Sequence, residues 1–449
     1  MGSVVNHIER EGVNPTRSKP VPFTAGDYLV FFIAFAESIQ FNIVGILNGT
    51  DISFMFLFSY FVLTGKLRVK SPLCRRLLLL GFVWLGSQIL TDVVRHTPFS
   101  DYARGWSNIA LTLINFATMC TLLYGRPRRL VMYGWGLVIG VAVQYVTHVD
   151  AESAAYPWKM GFSYPVTLAV ALLASRKTCR PGTRVGLMLG IGLVNLLLSA
   201  RNAGGCCLAA AIYLLLTRRL RERSARGLKP TLKLKVALCT LLLIGFTGIF
   251  SLYGYLADSG YLGEESKIKY EEEASGKYGV LLGGRAVMLS SIPAIIDSPI
   301  LGHGSWAKDP TYIIAGRSAL SMMGYKGALN MSREELVDGL IPAHSFLLGA
   351  WVYAGVFGAI FWGWVWLTVV RSLTRIYPPG AILLPLMVYF AILLSWDILF
   401  SPFGLDRRNQ VPYYLMMVFT YYEMAAPKLV RVTVSKAKKA LRPALNAGD

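Results

Sequence analysis

The chain has 449 residues, 54% of them hydrophobic and only 16% charged, with a mean hydropathy of +0.48. A soluble globular chain is usually about 45–50% apolar and about 25% charged, so the composition excludes a disordered chain, a disulfide-stapled miniprotein and an ordinary cytosolic enzyme. An all-α polytopic membrane protein is expected, and the formal charge of +20 is explained by where the bases fall.

In chain order, the first apolar stretch begins near Tyr28 and contains Glu37. It lacks a short apolar core followed by a small-residue cleavage site, so it reads as a retained span rather than a signal peptide. A helical span needs about 20 mostly apolar residues. Twelve stretches qualify as candidates: 28–47, 52–65, 77–94, 106–124, 129–147, 160–175, 185–200, 203–217, 234–256, 343–370, 380–400 and 409–426. Four parts are expected: an N-terminal bundle of about nine helices (1–256), a loop subdomain (257–342), the late helices (343–426) and a basic tail (427–449).

The loops alternate in basic charge. Residues 10–19, 66–76, 126–129, 176–184, 218–235, 371–375 and 428–442 together hold 31 of the 45 Lys and Arg. Cytoplasmic loops carry the Lys/Arg excess, which puts both termini inside and leaves the bases facing anionic headgroups rather than nucleic acid. The six cysteines (Cys74, Cys120, Cys179, Cys206, Cys207 and Cys239) lie in or beside apolar stretches and form no disulfide framework or zinc spacing.

The segment 257–342, on the outer side, is too long for a mere connector. Its run EESKIKYEEE (264–273) reads as a solvated face. An amphipathic helix is expected over about 284–296, with Leu289, Ile292, Ile295 and Ile296 at helical spacing. A second is expected to start at Ser332, whose partner Glu335 completes a capping box.

Ionisable groups at membrane depth are costly and usually functional. Four candidates fall at the outer face. Arg201, in LLLSARNAGG, needs an anion or must snorkel to the interface. Arg285 follows Gly283-Gly284 at a helix start, a place suited to an anion. His344 opens a span from the outer side; an ordinary imidazole titrates near pH ~6.5, so it can serve as a neutral base. Asp397, near the outer end of a span, is expected to pair an arginine or to orient His344. His303, between glycines, reads as a turn residue. The chain has no Asp-x-Asp pair, P-loop or HExxH pattern, so a phosphate-bearing substrate is expected to be met by arginine forks, with no metal or other cofactor.

These residues resemble the O-antigen ligase and Wzy-type polymerase superfamily. Its ligase signature is His, then Asn or Ser, two residues, Leu, six residues and Gly; here it reads His344-Ser345-Phe346-Leu347-Leu348 and then Gly355. Arg201 in LLLSARNAGG is similar to the family's Ser-Arg-Gly segment, with Ala200 inserted. Arg285 and the ending Pro299-Ile300-Leu301-Gly302-His303-Gly304 resemble the loop segment that carries the second arginine. The resemblance implies a multi-pass glycosyltransferase of the bacterial inner membrane. Such an enzyme moves O-antigen from undecaprenyl pyrophosphate onto lipid A-core at the periplasmic face, without a metal. His344 is then expected as the base, Arg201 and Arg285 on the pyrophosphate, and Asp397 and Ser345 beside the substrate. A Wzy-type polymerase and a protein O-oligosaccharyltransferase are the related alternatives, and a transporter of lipid-linked glycans is the alternative of another class.

Overall fold

The computed structural model describes residues 22–42, 45–149, 151–225, 251–261, 263–284, 286–328, 339–375, 381–405 and 407–424, with a few isolated positions between them. Among these residues the fold is all-α, with 17 α-helices and one antiparallel hairpin, Gln40–Asn42 against Ile46–Asn48. The helices of the first half are α1 (Ala25–Phe35), α2 (Gly49–Leu63), α3 (Pro72–Val94), α4 (Phe99–Leu122), α5 (Pro127–Thr147), α6 (Ala151–Ala155), α7 (Ser163–Ala174), α8 (Pro181–Leu197) and α9 (Arg201–Ala225). The loop contributes α10 (Glu264–Ala274), α11 (Gly279–Gly283), α12 (Ser291–Asp297) and α13 (Pro310–Met322). The late helices are α14 (Phe346–Ala354), α15 (Val356–Leu373), α16 (Leu384–Phe400) and α17 (Arg407–Met424).

Of the stretches expected to span, α3, α5 and α15 are both long and apolar enough to cross a membrane, while α2, α8 and α16 are apolar but shorter. Helix α3 shows how such a helix is used. It buries Leu77, Gly81, Trp84 and Gln88 and turns Leu79 (66% exposed) and Phe82 (59%) outward. An outer face of that kind suits lipid rather than water. Helices α16 and α17 form the centre, with 408–421 buried all round; α4, α7, α9 and α15 pack about them.

Two expected spans are broken, each for a physical reason. The stretch 28–47 is helical only to Phe35; a short 3-10 turn (Ala36–Ser38) and the hairpin follow. Glu37 is 3% exposed, and a buried carboxylate must find donors. The hairpin brings back Asn48, whose Nδ2 donates to Glu37 Oε1 at 2.7 Å, and Asn409 Nδ2 donates to Glu37 Oε2 at 2.9 Å. The stretch 343–370 is two helices, interrupted at Gly355 (φ +67°, ψ −158°). The expected helix over 284–296 is also divided, into a 3-10 turn (Ala286–Ser290) and α12. Pro293 lacks an N–H and its ring collides with the carbonyl four residues back, so one continuous helix cannot form. The Ser332 capping box, most of 234–256 and the tail 427–449 lie outside the described residues.

The bundle has two distinct ends. At one, Ser71 Oγ donates to Glu423 Oε1 (2.7 Å), Arg68 N to Thr121 Oγ1 (3.0 Å) and Arg375 to the Tyr422 carbonyl (2.9 Å). These bonds tie the start of α3 to the ends of α4, α15 and α17. Of the bases assigned to the inner side, those at 66–76, 126–129, 176–177 and 371–375 adjoin helix termini at this end. At the other end the loop docks. Helix α4, with 24 residues, runs about 36 Å between the two ends at 1.5 Å per residue.

Candidate active site

The docking of the loop defines the site. Asp92, near the end of α3 and 1% exposed, accepts from Ser305 N (2.6 Å), Ser305 Oγ (2.7 Å) and Trp106 Nε1 (2.7 Å). Arg95 donates to the Gly302 carbonyl (3.1 Å) and to Ser298 Oγ (2.8 Å). Along the same segment, His303 N and Gly304 N donate to the carbonyls of Val352 (2.7 Å) and Tyr353 (3.1 Å). The strip 298–305 is therefore clamped between α3 and α14.

The two motif segments meet in this clamp. Val356 N donates to the Ile300 carbonyl, and Gly355 lies so close that a Cβ there would stand 1.9 Å from the same oxygen. Ser345 is the N-cap of α14: its Oγ accepts from Leu348 N (3.1 Å) and donates to the Ile398 carbonyl (2.8 Å). Asn and Ser are both strong N-caps, and Leu348 packs toward Ile295, Ile341 and Val352. The signature thus marks a capped helix whose first turn is fixed to α16 and whose last turn is fixed to the loop. Ser345, expected at the substrate, is buried and its hydroxyl is engaged on both sides.

His344 precedes this cap and is exposed. It lines a cavity of about 530 Å³ between the loop, α3, α4 and α14. The floor is aromatic: Phe346 lies 4.9 Å from Trp362 and 5.1 Å from Phe403, centroid to centroid, and Trp84 lies 5.7 Å from Trp362. The polar lining includes Gln88, Asn108, Ser290, Ser305, Ser345, Tyr353 and Arg317 beside His344. Among the described residues Arg317, on α13, is the cation that lines the cavity with His344, and the sequence alone did not mark it. The sequence signalled only the helix that carries it: Asp309 caps α13, accepting from Thr311 N at 2.9 Å, and Pro310 opens it. An Asp-Pro pair ahead of a helical pattern marks a helix start.

Arg201 stands elsewhere, outside the lining of that cavity. It opens α9 and binds Glu273 with both arms of its fork, at 3.0 and 3.2 Å, with Tyr253 under the guanidinium at 5.3 Å. One glutamate of the run 264–273 is therefore recruited to an ion pair, against the reading of that run as a solvated face. Gly283 and Gly284 pack directly on Glu273, and Arg285, which follows them, lies outside the described residues. Asp397, fully buried, does pair an arginine, but one not anticipated: Arg407, at 3.2 Å. Its other oxygen accepts from Ser401 Oγ at 2.7 Å. Along the chain, Gly284, which packs on Glu273, comes six residues before Ser290 of the cavity wall.

His303 is structural, as its glycine neighbours suggested. Its Nε2 lies 2.7 Å from the Ala294 carbonyl, and Tyr312 packs on its ring at 5.2 Å. Burial first, and then a 2.7 Å bond to Asp297, push the Tyr312 phenol up to about 12, so it remains a donor at any physiological pH. Comparison with protein-family models, curated proteins and solved structures finds no match to this chain.

Proposed function

We propose that the protein is an O-antigen ligase, a multi-pass glycosyltransferase of the bacterial inner membrane. It transfers O-antigen polysaccharide from undecaprenyl pyrophosphate to lipid A-core. Both termini are cytoplasmic, about twelve helices span or enter the bilayer, and 257–342 is the periplasmic loop. One observation carries the reading: His344 is exposed in a cavity where the loop meets the helices, at the end of the bundle opposite the basic one. A donor and an acceptor that both keep lipid tails in the bilayer can meet only at such a boundary. The aromatic floor suits sugar faces and polyprenyl chain alike.

In this mechanism His344 takes the proton of the acceptor hydroxyl while that oxygen attacks the anomeric carbon. The bond from that carbon to the pyrophosphate oxygen breaks, and the carrier leaves with its negative charge. With one base and no covalent intermediate, the anomeric configuration inverts. Arg317 meets the charge that develops on the leaving group from within the cavity. Arg201 and Arg285 are proposed to hold the pyrophosphate, Arg201 exchanging Glu273 for it. A two-armed carboxylate contact supports this role, because the same planar fork fits phosphate. Asp397, paired with Arg407, fixes the end of α16 on which the α14 cap rests.

The test is transfer by purified protein in lipid vesicles, with carrier-linked glycan and three acceptors offered in turn. Product on lipid A-core supports the ligase. Product only on a second carrier-linked repeat, or only on a pilin-type protein, replaces it with the polymerase or the protein glycosyltransferase.

A further inference from the structure

A second cavity, of about 1040 Å³, opens at the basic end of the bundle, between the start of α5, the end of α7, the turn before α16 and the end of α17. Helices α16 and α17 run their full length between it and the His344 cavity, so the proposed transfer makes no use of it. Its wall is apolar, with Val131, Trp135, Leu172 and Leu383 among the lining residues. The two phenols in the wall are engaged by backbone: Tyr377 donates to the Ser372 carbonyl at 2.9 Å, and Tyr421 accepts from Leu383 N at 3.0 Å.

The cations in the lining are Arg128, Arg176 and Lys177, and no carboxylate lines the cavity among the described residues. Arg176 and Lys177 are exposed. Arg128 is held in place by the Pro22 carbonyl (2.9 Å), by Asp27 and by the Phe23 ring (4.5 Å). Apolar walls would accept hydrocarbon, and three positive charges would accept phosphate. Basic pockets between helices on the cytoplasmic side are where anionic lipid headgroups bind.

We infer that this cavity binds an anionic phospholipid, with an acyl chain against Trp135 and Leu172 and the phosphate on Arg128, Arg176 and Lys177. A zwitterionic lipid fills the same walls but brings no net charge to the cations. The ligand belongs to the inner leaflet and is distinct from both lipid-borne substrates of the proposed reaction.

The experiment uses the full chain in phosphatidylcholine nanodiscs doped with phosphatidylglycerol or cardiolipin, read by retained lipid in native mass spectrometry and by unfolding temperature. Either anionic lipid is retained over phosphatidylcholine and raises the unfolding temperature. The double variant Arg176→Gln/Lys177→Gln keeps its helical circular dichroism and binds phosphatidylglycerol about tenfold more weakly or worse. Equal retention of phosphatidylglycerol and phosphatidylcholine overturns the inference, as does undiminished phosphatidylglycerol binding by the double variant. Binding of inorganic phosphate as tight as that of phosphatidylglycerol overturns it too, since that would mark an ion site to which the lipid chain adds nothing.

Discussion

His344 and Ser345 both line the cavity but differ in exposure: the imidazole is exposed, while the hydroxyl beside it is buried and engaged in capping α14. Substitution should therefore separate them. His344→Ala should lower glycan transfer by about 10²–10⁴-fold, the usual worth of a general base, with the unfolding temperature unchanged and the acid limb of the pH–rate profile gone. Ser345→Ala should instead cost stability, about 1 kcal/mol for the lost cap and more for the Ile398 carbonyl left without its donor. A thermal melt checks this. Arg317→Ala should raise the donor KM about tenfold or more through loss of a charge-assisted contact, and Arg317→Lys should recover part of it. Of these residues only His344 and Ser345 were legible in the sequence, because they sit in a spaced signature. Arg317 carries no signature; it becomes a candidate only when α13 is laid across the cavity. Arg201 was legible as a misplaced charge, but its partner Glu273 is 72 residues away, and nothing in an acidic run says which member will be drawn inward.

At the scale of elements, the fold turns on how the loop is fastened. Gly355 has backbone angles open essentially to glycine alone, and a methyl there would meet the Ile300 carbonyl. Gly355→Ala should cost about 3 kcal/mol and separate the loop from α15. Gly363→Ala, in the same helix with no atom within 4 Å of its added methyl, should leave stability unchanged or slightly raised. Asp92→Ala leaves the Ser305 and Trp106 donors without their acceptor, at about 1–3 kcal/mol each. Limited proteolysis should then cut the loop faster while the helices stay intact. The helices themselves were largely readable from apolar runs. Their interruptions were not, because Glu37 and Gly355 break spans for the sake of partners outside the span's own helix: Asn48 and Asn409 in one case, Ile300 in the other. Pro293 was a local signal, and it divided a helix that hydrophobic spacing alone had joined.

The whole molecule is polar in the sense of a magnet rather than of a solvent. One end gathers basic loops and a greasy, cationic cavity. The other gathers a docked loop and a cavity with His344. Charge counting along the sequence set the basic segments apart from the loop, and the fold gathers several of them at the end away from it; the cavities were illegible because each is assembled from four or more distant segments. Single cysteines placed at Lys177 and at Lys308, in a background without native cysteines, should react with an impermeant maleimide from opposite sides of sealed vesicles. The central claim, glycosyl transfer at the His344 cavity, is tested most directly by reconstituted transfer of a carrier-linked glycan onto lipid A-core, comparing wild type with folded His344→Ala. The account predicts product on lipid A from the wild type and almost none from the variant. Equal product from the two would contradict it.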